Sequence, residues 1–289
     1  MIEERVESIG APSIFLRSSH PATDSRGVVV IVPGFNSHSG YYLWVMEQLT
    51  AIGLSVYALD LRGRGQSAGE RFYVGAFADY VSDVAGIVTL AKSRAPGVPL
   101  FLLGHSAGGV VSCLYVLEHP GEVSGFICES FAYQLPAPDL ALAVLKGLSH
   151  VAPHAHVLKL NNEDFSRDPQ AVQAMNRDAL IAHETQPAQT LAAMVRADER
   201  LKGEFPRITL PMLILHGTGD KAAKPSGSQF FYDTAGALDK TLKLYDGHFH
   251  DLLNDTGKEA VMTNIIRWLD TRLAKSGPEL HDALNEPTS

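Results

Sequence analysis

Cysteine is scarce in this chain, with two residues among 289. Two cysteines cannot build a disulfide framework, and the spacing of Cys113 and Cys128 matches no metal-binding motif. Both lie in apolar segments, so we expect two small buried side chains. This cysteine usage favours a reducing compartment, and we expect a cytoplasmic protein.

Long runs of one residue class are also missing. The sequence has no extended run of Lys and Arg, and its formal net charge is −8 at pH 7. We therefore expect no nucleic-acid partner, because proteins that bind nucleic acids carry a basic patch. No uninterrupted apolar segment is long enough to cross a bilayer, so no stable membrane insertion is expected. The start of the chain, 1–10, carries three glutamates and no apolar run, so no signal peptide is predicted.

Hydrophobic residues make up 45% of the chain, which is enough for one large core or for a core with an inserted subdomain. Apolar segments of strand length alternate with segments of helical period. This alternation predicts an α/β fold with a mostly parallel sheet covered by helices on both faces. The predicted strands are 27–32, 54–59, 99–103, 125–128, 211–215 and 241–245.

The alternation stops between residues 131 and 206, where we predict helices and no strand. The expected helices lie near 140–148, 171–181 and 189–201. We interpret 131–206 as a helical cap, inserted into a core formed by 1–130 and 207–275. The polar segment 276–289 holds two prolines and is expected to be a loose tail.

The most informative motif is Gly104-His105-Ser106-Ala107-Gly108, which stands between an apolar strand and an apolar helix. This pattern is typical of a nucleophile elbow, in which a strained turn exposes a serine at the end of a sheet. The alternative is an ordinary glycine-rich turn. A phosphate-binding loop is disfavoured because no lysine follows the glycines.

A serine hydroxyl needs a base to remove its proton, and the base needs a carboxylate to orient it. Proteins with this elbow place these groups in the chain order Ser, acid, His. Asp220 follows the predicted strand 211–215, and His250 follows the predicted strand 241–245. Both therefore lie at the strand ends where ligands gather in open α/β sheets.

Other residues compete for both roles. Glu129 follows the strand after the elbow, and Asp246 lies close to the histidine loop. His248 shares that loop with His250. We favour Asp220 as the acid and His250 as the base, and the other three remain alternatives.

A tetrahedral intermediate needs two hydrogen-bond donors aimed at its oxyanion. One expected donor is the backbone N–H of Ala107, directly after the serine. The other comes from the loop after an early strand, where Phe35 is the best candidate. Gly34 allows the backbone of that loop to turn toward the site.

Several segments of the chain, in order from about residue 27 to 273, resemble the monoacylglycerol lipase and lysophospholipase-like branch of the α/β-hydrolases. These segments are 37–42 (SHSGYY), 60–67 (DLRGRGQS), 69–71 (GER), 104–109 (GHSAGG) and 239–247 (DKTLKLYDG), followed by His250. The resemblance implies an α/β-hydrolase fold, with a mostly parallel central sheet flanked by helices and a helical cap that admits an acyl chain.

The resemblance also implies Ser106, Asp220 and His250 as the catalytic triad, with Phe35 and Ala107 as the oxyanion donors. Two positions depart from the family pattern. The family usually has His-Gly before the oxyanion residue, where this chain has Pro-Gly, and a bulky residue where this chain has Ala107.

From these residues we predict a serine carboxylic-ester hydrolase that acts on monoacylglycerol-like or other acyl esters through an acyl-enzyme. No cofactor is expected. A peptidase or a carbon–carbon bond hydrolase on the same fold remains an alternative, as does a non-catalytic ligand-binding receptor. We expect a small-molecule acyl ester as partner, a monomer or homodimer, and transient lipid contact through the cap.

Six side chains are candidates for lining the substrate site. They are Asn36, His38, His105, Phe131, Leu142 and His248. No metal site is expected. His150, His154 and His156 cluster in the cap, but Pro153 interrupts any helix that would place them on one face, so we interpret them as solvated.

Overall fold

The computed structural model describes residues 1–7, 12–134 and 138–275. Within these residues, ten strands and eight α-helices follow one another along the chain. The strands are β1 (Ile2–Val6), β2 (Ile14–Ser19), β3 (Gly27–Val32), β4 (Leu54–Leu59), β5 (Leu100–His105), β6 (Gly125–Glu129), β7 (His156–Leu158), β8 (Gln186–Pro187), β9 (Met212–Gly217) and β10 (Lys240–Tyr245). The helices are α1 (Leu43–Ala51), α2 (Phe77–Arg94), α3 (Ala107–Glu118), α4 (Asp139–Val151), α5 (Pro169–Arg177), α6 (Ala188–Glu204), α7 (Pro225–Thr234) and α8 (Lys258–Lys275).

Eight of the strands form one sheet in the order β1-β2-β4-β3-β5-β6-β9-β10. The six strands from β4 to β10 in this order pair in parallel, and β1 and β2 add two antiparallel pairings at one edge. The six strands predicted from the sequence are these parallel strands. The predicted fold class, an α/β-hydrolase with a mostly parallel sheet flanked by helices, is confirmed.

Five of the six parallel strands, all except the edge strand β10, are buried along their whole length because helices cover both faces of the sheet. Val28 and Val30 of β3 pack in the core under α2 and α3, whereas Val29 and Ile31 pack in the core under α1 and α8. A strand buried on both sides reads as a continuous apolar run. This is why β3, β4 and β5 are easy to recognise in the sequence.

Two features of the sheets differ from the expectations. Neither β1 nor β2 is among the predicted strands. β1 carries charged residues at an exposed edge and gives no apolar run, and β2 has only three apolar residues before it turns polar. The expectation of no strand within 131–206 is wrong, since β7 and β8 pair antiparallel in a second, two-stranded sheet. These strands have three and two residues, which is too short to produce a recognisable alternation.

The predicted cap region contains α4, α5 and α6. Helix α6 packs against α3, and its apolar residues Leu191, Met194 and Leu201 join the same core as the strands. The division into a core and a cap at 131–206 stays a prediction. The predicted tail, 276–289, lies outside the described residues. None of the helices in the described part of the chain combines the length and apolar character that a bilayer crossing requires.

Candidate active site

Ser106 occupies the turn between β5 and α3. Its backbone has φ 55° and ψ −122°, a conformation that residues with a side chain rarely adopt. Its N–H donates to the Glu129 carbonyl at 2.9 Å. A Cβ on Gly108 would lie 2.0 Å from the Val32 carbonyl oxygen, and one on Gly104 would lie 2.7 Å from the Gly108 carbonyl oxygen. The close approach of strand and helix therefore requires glycine on both sides of the serine.

Asp220 follows β9 and is held by several donors. Its Oδ2 lies 2.7 Å from His250 Nδ1 and 3.0 Å from His216 Nε2. Its Oδ1 accepts the backbone N–H groups of Ala222 and Ala223, each at 2.8 Å. Burial alone would raise the pKa of this carboxyl, but the two imidazoles hold it well below its ordinary value. Asp220 is therefore a fixed negative charge directed at His250.

The His250 imidazole is almost fully buried beside the serine turn. Its ring centroid lies 5.0 Å from that of His105, the residue directly before Ser106. The Phe165 ring stands edge-on to it, also at 5.0 Å. Sequence reasoning missed Phe165, and no local signal identifies it, because the contact depends on how the segment before α5 folds over the site.

His248, the rival of His250, lies in a different environment. Its Nδ1 is 3.7 Å from Asp255 Oδ2. The Asp255 carboxylate also accepts a hydrogen bond from Arg167 Nε at 2.8 Å. The structure thus directs His250 to Asp220 and His248 to Asp255.

The loop after β3 lies against the serine. A Cβ on Gly34 would be 2.7 Å from Ser106 Cβ, so only glycine allows this approach. Phe35 and Asn36 follow, and Asn36 adopts a left-handed backbone with φ 50°. On the other side of the serine, α3 begins at Ala107, whose N–H belongs to the first turn and has no acceptor within the helix. The two expected oxyanion donors therefore lie on segments that flank Ser106.

Two of the predicted lining residues connect this loop to the predicted cap. The Asn36 side-chain amide donates to Asn162 Oδ1 at 3.0 Å. His38 Nε2 lies 2.7 Å from Asp178 Oδ2, and the same carboxylate oxygen accepts from Tyr41 at 2.9 Å. Both residues are buried and both hold the loop to segments beyond residue 160.

Two other predicted lining residues are placed apart from these contacts. Phe131 is fully buried in an aromatic cluster, with its ring 5.6 Å from that of Tyr133 and 5.1 Å from that of Phe231. Leu142 lies half-buried on α4, which packs against α6. A substrate contact for either side chain stays a prediction.

A cavity of about 400 Å³ opens beside Asn36. Most of its lining side chains are polar, and most belong to the predicted cap. They are Asn36, Lys159, Leu160, Asn161, Asn162, Glu163, Met175, Asn176, Ile181, Ala182, His183 and Glu184. The amide side chains of this lining can both donate and accept hydrogen bonds, and its carboxylates can accept them.

A buried acidic pair lies close to His105. One ligand-type atom from each of His105, Glu129 and Asp251 lies within 4.8 Å of those of the other two. Imidazole and carboxylate are metal-ligand types, and a carboxyl group binds a metal in its ionised form. Burial raises the pKa of Asp251 to about 6 and that of Glu129 well above its ordinary value, so protons would compete with a metal for both groups. Burial also lowers the pKa of His105 to about 3, with a further contribution from His250. Glu129, the alternative acid, accepts the Leu253 N–H at 3.1 Å.

The fold together with the elbow serine and the histidine–carboxylate pair at two later strand ends defines an α/β-hydrolase. The sequence profile of the family described as "Serine aminopeptidase, S33" matches residues 23–257. The chain belongs to this family.

Named relatives narrow the class further. The chain is 32% identical over 273 residues to the "Monoacylglycerol lipase" of Mycolicibacterium smegmatis, an alignment that covers 94% of this chain and 98% of the relative. It is 31% identical over 269 residues to the "Monoglyceride lipase" of Rattus norvegicus, covering 91% and 89%. The crystal structure of the Paleococcus ferrophilus monoacylglycerol lipase superposes with a TM-score of 0.80 at 29% identity and covers 89% of this chain and 99% of that one. The chain is thus a serine hydrolase of the ester-cleaving, monoacylglycerol lipase-like branch.

Proposed function

We propose that this chain hydrolyses monoacylglycerols and related acyl esters, with Ser106 as nucleophile, His250 as general base and Asp220 as the carboxylate that orients it. The single observation that carries the proposal is the 2.7 Å contact of His250 Nδ1 with Asp220, beside the strained turn that holds Ser106. With Nδ1 committed to Asp220, Nε2 is the nitrogen available to the serine.

In the first half of the reaction, Ser106 Oγ attacks the ester carbonyl carbon while its proton passes to His250 Nε2. The carbonyl oxygen becomes an oxyanion, which the N–H groups of Phe35 and Ala107 stabilise. The C–O bond to the alcohol then breaks, and the alcohol leaves with the proton from His250. The acyl group remains on Ser106 as an ester.

In the second half, His250 removes a proton from a water molecule, whose oxygen attacks the acyl carbon. The tetrahedral intermediate uses the same two N–H donors. When it breaks down, the proton on His250 returns to Ser106 Oγ and the carboxylic acid leaves. Asp220 stays ionised throughout and stabilises the imidazolium.

The substrate class is supported by two observations. Relatives that align along nine-tenths of this chain are named monoacylglycerol or monoglyceride lipases. The polar cavity beside Asn36 offers amide and charged groups to the hydroxyls of an alcohol such as glycerol. We further propose that the enzyme works without a cofactor, since each proton transfer has a partner among Ser106, His250 and water.

The test compares Ser106→Ala with Ser112→Ala, a matched loss of a hydroxyl from the buried face of α3. Hydrolysis of a p-nitrophenyl ester and of a monoacylglycerol should fall by about 10³-fold or more in the first variant and change little in the second. A fluorophosphonate probe should label the wild type and Ser112→Ala only. Full activity of Ser106→Ala would overturn the proposal, and faster turnover of an aminoacyl anilide than of any ester would favour a peptidase.

A further inference from the structure

Glu184 is a buried carboxylate of the predicted cap that contacts the loop after β3. It lies just before β8 and is only 2% exposed. Its Oε1 accepts the backbone N–H of Asn36 at 3.0 Å and the side-chain amide of Gln186 at 2.8 Å. The same oxygen forms an ion pair with Arg64 Nη1. One carboxylate oxygen thus joins the backbone of this loop to two further side chains.

Arg64 completes the arrangement from the other side. Its guanidinium lies over the Phe35 ring, 3.9 Å from the ring centroid. Its Nη2 donates to Gln186 Oε1 at 2.8 Å, and its Nε donates to Tyr80 Oη at 3.2 Å. Arg64 is 1% exposed, so the ion pair with Glu184 has little competition from water. The Phe35 side chain and the Asn36 backbone are therefore held by the same ion pair, Arg64 with Glu184.

The loop needs such restraint because of its backbone. Asn36 has φ 50°, in the left-handed region, which costs free energy for a residue with a side chain, although less for asparagine than for most others. The Asn36 N–H belongs to the peptide plane that follows the Phe35 Cα, and the Phe35 N–H belongs to the plane that precedes it. Glu184 fixes the peptide plane after Phe35, and Arg64 fixes the Phe35 ring. Together these contacts limit the rotation of the peptide plane before Phe35, which carries the Phe35 N–H.

We propose that Glu184 is a positioning residue for the oxyanion hole, which holds the Phe35 N–H in its donor direction through the Asn36 backbone and Arg64. The proposal rests on the proposed function, since it requires Phe35 to donate to the oxyanion. It makes part of the predicted cap a component of the catalytic geometry. An oxyanion donor contributes only while it is aimed at the developing charge.

The role predicts a specific kinetic effect. Loss of the Glu184 acceptor should lower kcat by about 10-fold to 100-fold, somewhat less than loss of a donor itself. KM for a short p-nitrophenyl ester should change little, because the oxyanion bond forms in the transition state rather than in the ground state. If Glu184 acted only in folding, its loss would lower the yield of active enzyme, and the folded fraction would keep the wild-type kcat and KM.

Three variants separate these cases. Glu184→Gln keeps an oxygen acceptor for the Asn36 N–H and should retain most of kcat. Glu184→Leu removes the acceptor but leaves the Arg64 charge buried, which endangers folding. Arg64→Met combined with Glu184→Leu removes both charges, and should fold and still show the low kcat. The matched control is Glu70→Gln, which removes the charge from the exposed contact with His154 and leaves Glu184 and Arg64 untouched.

The decisive measurement is the affinity for an alkyl boronic acid, which forms a tetrahedral adduct with the serine. The double variant should bind it about 10-fold to 100-fold more weakly than wild type, while Glu70→Gln should match wild type. If the folded double variant keeps the wild-type kcat and boronate affinity, Glu184 has no positioning role. That result is distinct from failure of the proposed function, which would appear as an active Ser106→Ala.

Discussion

Asp220 Oδ2 meets His250 Nδ1 at 2.7 Å, while Asp220 Oδ1 accepts two backbone N–H groups. The carboxylate is thus fixed in place by the chain that follows β9, independently of the histidine. Neighbouring imidazoles keep its pKa low despite its burial. The charge is therefore present at every pH at which the protein is expected to be active.

Asp220→Asn should lower kcat by about 10⁴-fold with little change of fold, because an amide cannot stabilise the imidazolium and favours the wrong tautomer. Glu129→Gln is the matched control at the rival acid, and should keep activity within about tenfold of wild type. Steady-state kinetics on a p-nitrophenyl ester measure both. The reverse order of effects would assign the orienting role to Glu129.

His250→Asn and His248→Asn form a second matched pair, two residues apart in one loop. The first should lower kcat by about 10⁴-fold or more, because it removes the proposed general base. The second should have a small effect, since His248 faces Asp255. Comparable losses in the two variants would contradict the assignment of the base.

The backbone conformation at Ser106 predicts a gain of stability. Ser106→Gly should have a higher free energy of unfolding than Ser106→Ala by about 1 kcal/mol, because glycine adopts a φ of 55° without strain. Both variants lack the hydroxyl and differ from each other by one methyl group, so the comparison reports mainly on the backbone. Urea denaturation measures it, and equal stabilities would show that the turn is not strained.

Asp198 predicts a dependence of stability on pH. Burial raises its pKa to about 8 from an ordinary value of 3.8. Between these values the folded protein holds a proton that the unfolded chain releases, so stability falls as pH rises, by at most about 1.4 kcal/mol per pH unit. Asp198→Asn cannot ionise and should not show this loss.

Urea denaturation of wild type and Asp198→Asn at pH 4, 6 and 8 provides the measurement. From pH 4 to pH 8, the free energy of unfolding of Asp198→Asn should rise relative to that of wild type by about 1 kcal/mol or more. A difference that is the same at all three pH values would show that Asp198 is ionised in the folded protein.

The sequence predicts β3, β4, β5, β6 and β9 well because each of them is buried on both faces. It predicts β1 poorly, because Glu3, Glu4 and Arg5 mask a strand that depends on pairing with β2 rather than on burial. The strands β7 and β8 are too short to give a pattern. Periodicity becomes visible only in a strand that is both buried and several residues long, and none of these three strands is both.

The residues of the candidate site also differ in how well the sequence predicts them. Ser106 is recognisable because glycines stand at a fixed spacing on both sides of it, between an apolar strand and an apolar helix. His250 and His248 follow one turn, so only the folded direction of each ring distinguishes them. The contact of Glu184 with Asn36 joins residues 148 positions apart, and no local pattern predicts it.

The position of β9 and β10 after the predicted cap has a consequence for biosynthesis. Well over a hundred residues separate Ser106 from His250. At about 5–20 residues per second, the ribosome needs on the order of ten seconds to add them. During that interval the nascent chain carries the proposed nucleophile without its proposed base, so we expect hydrolytic activity only after β10 and the loop that carries His250 have been made and docked.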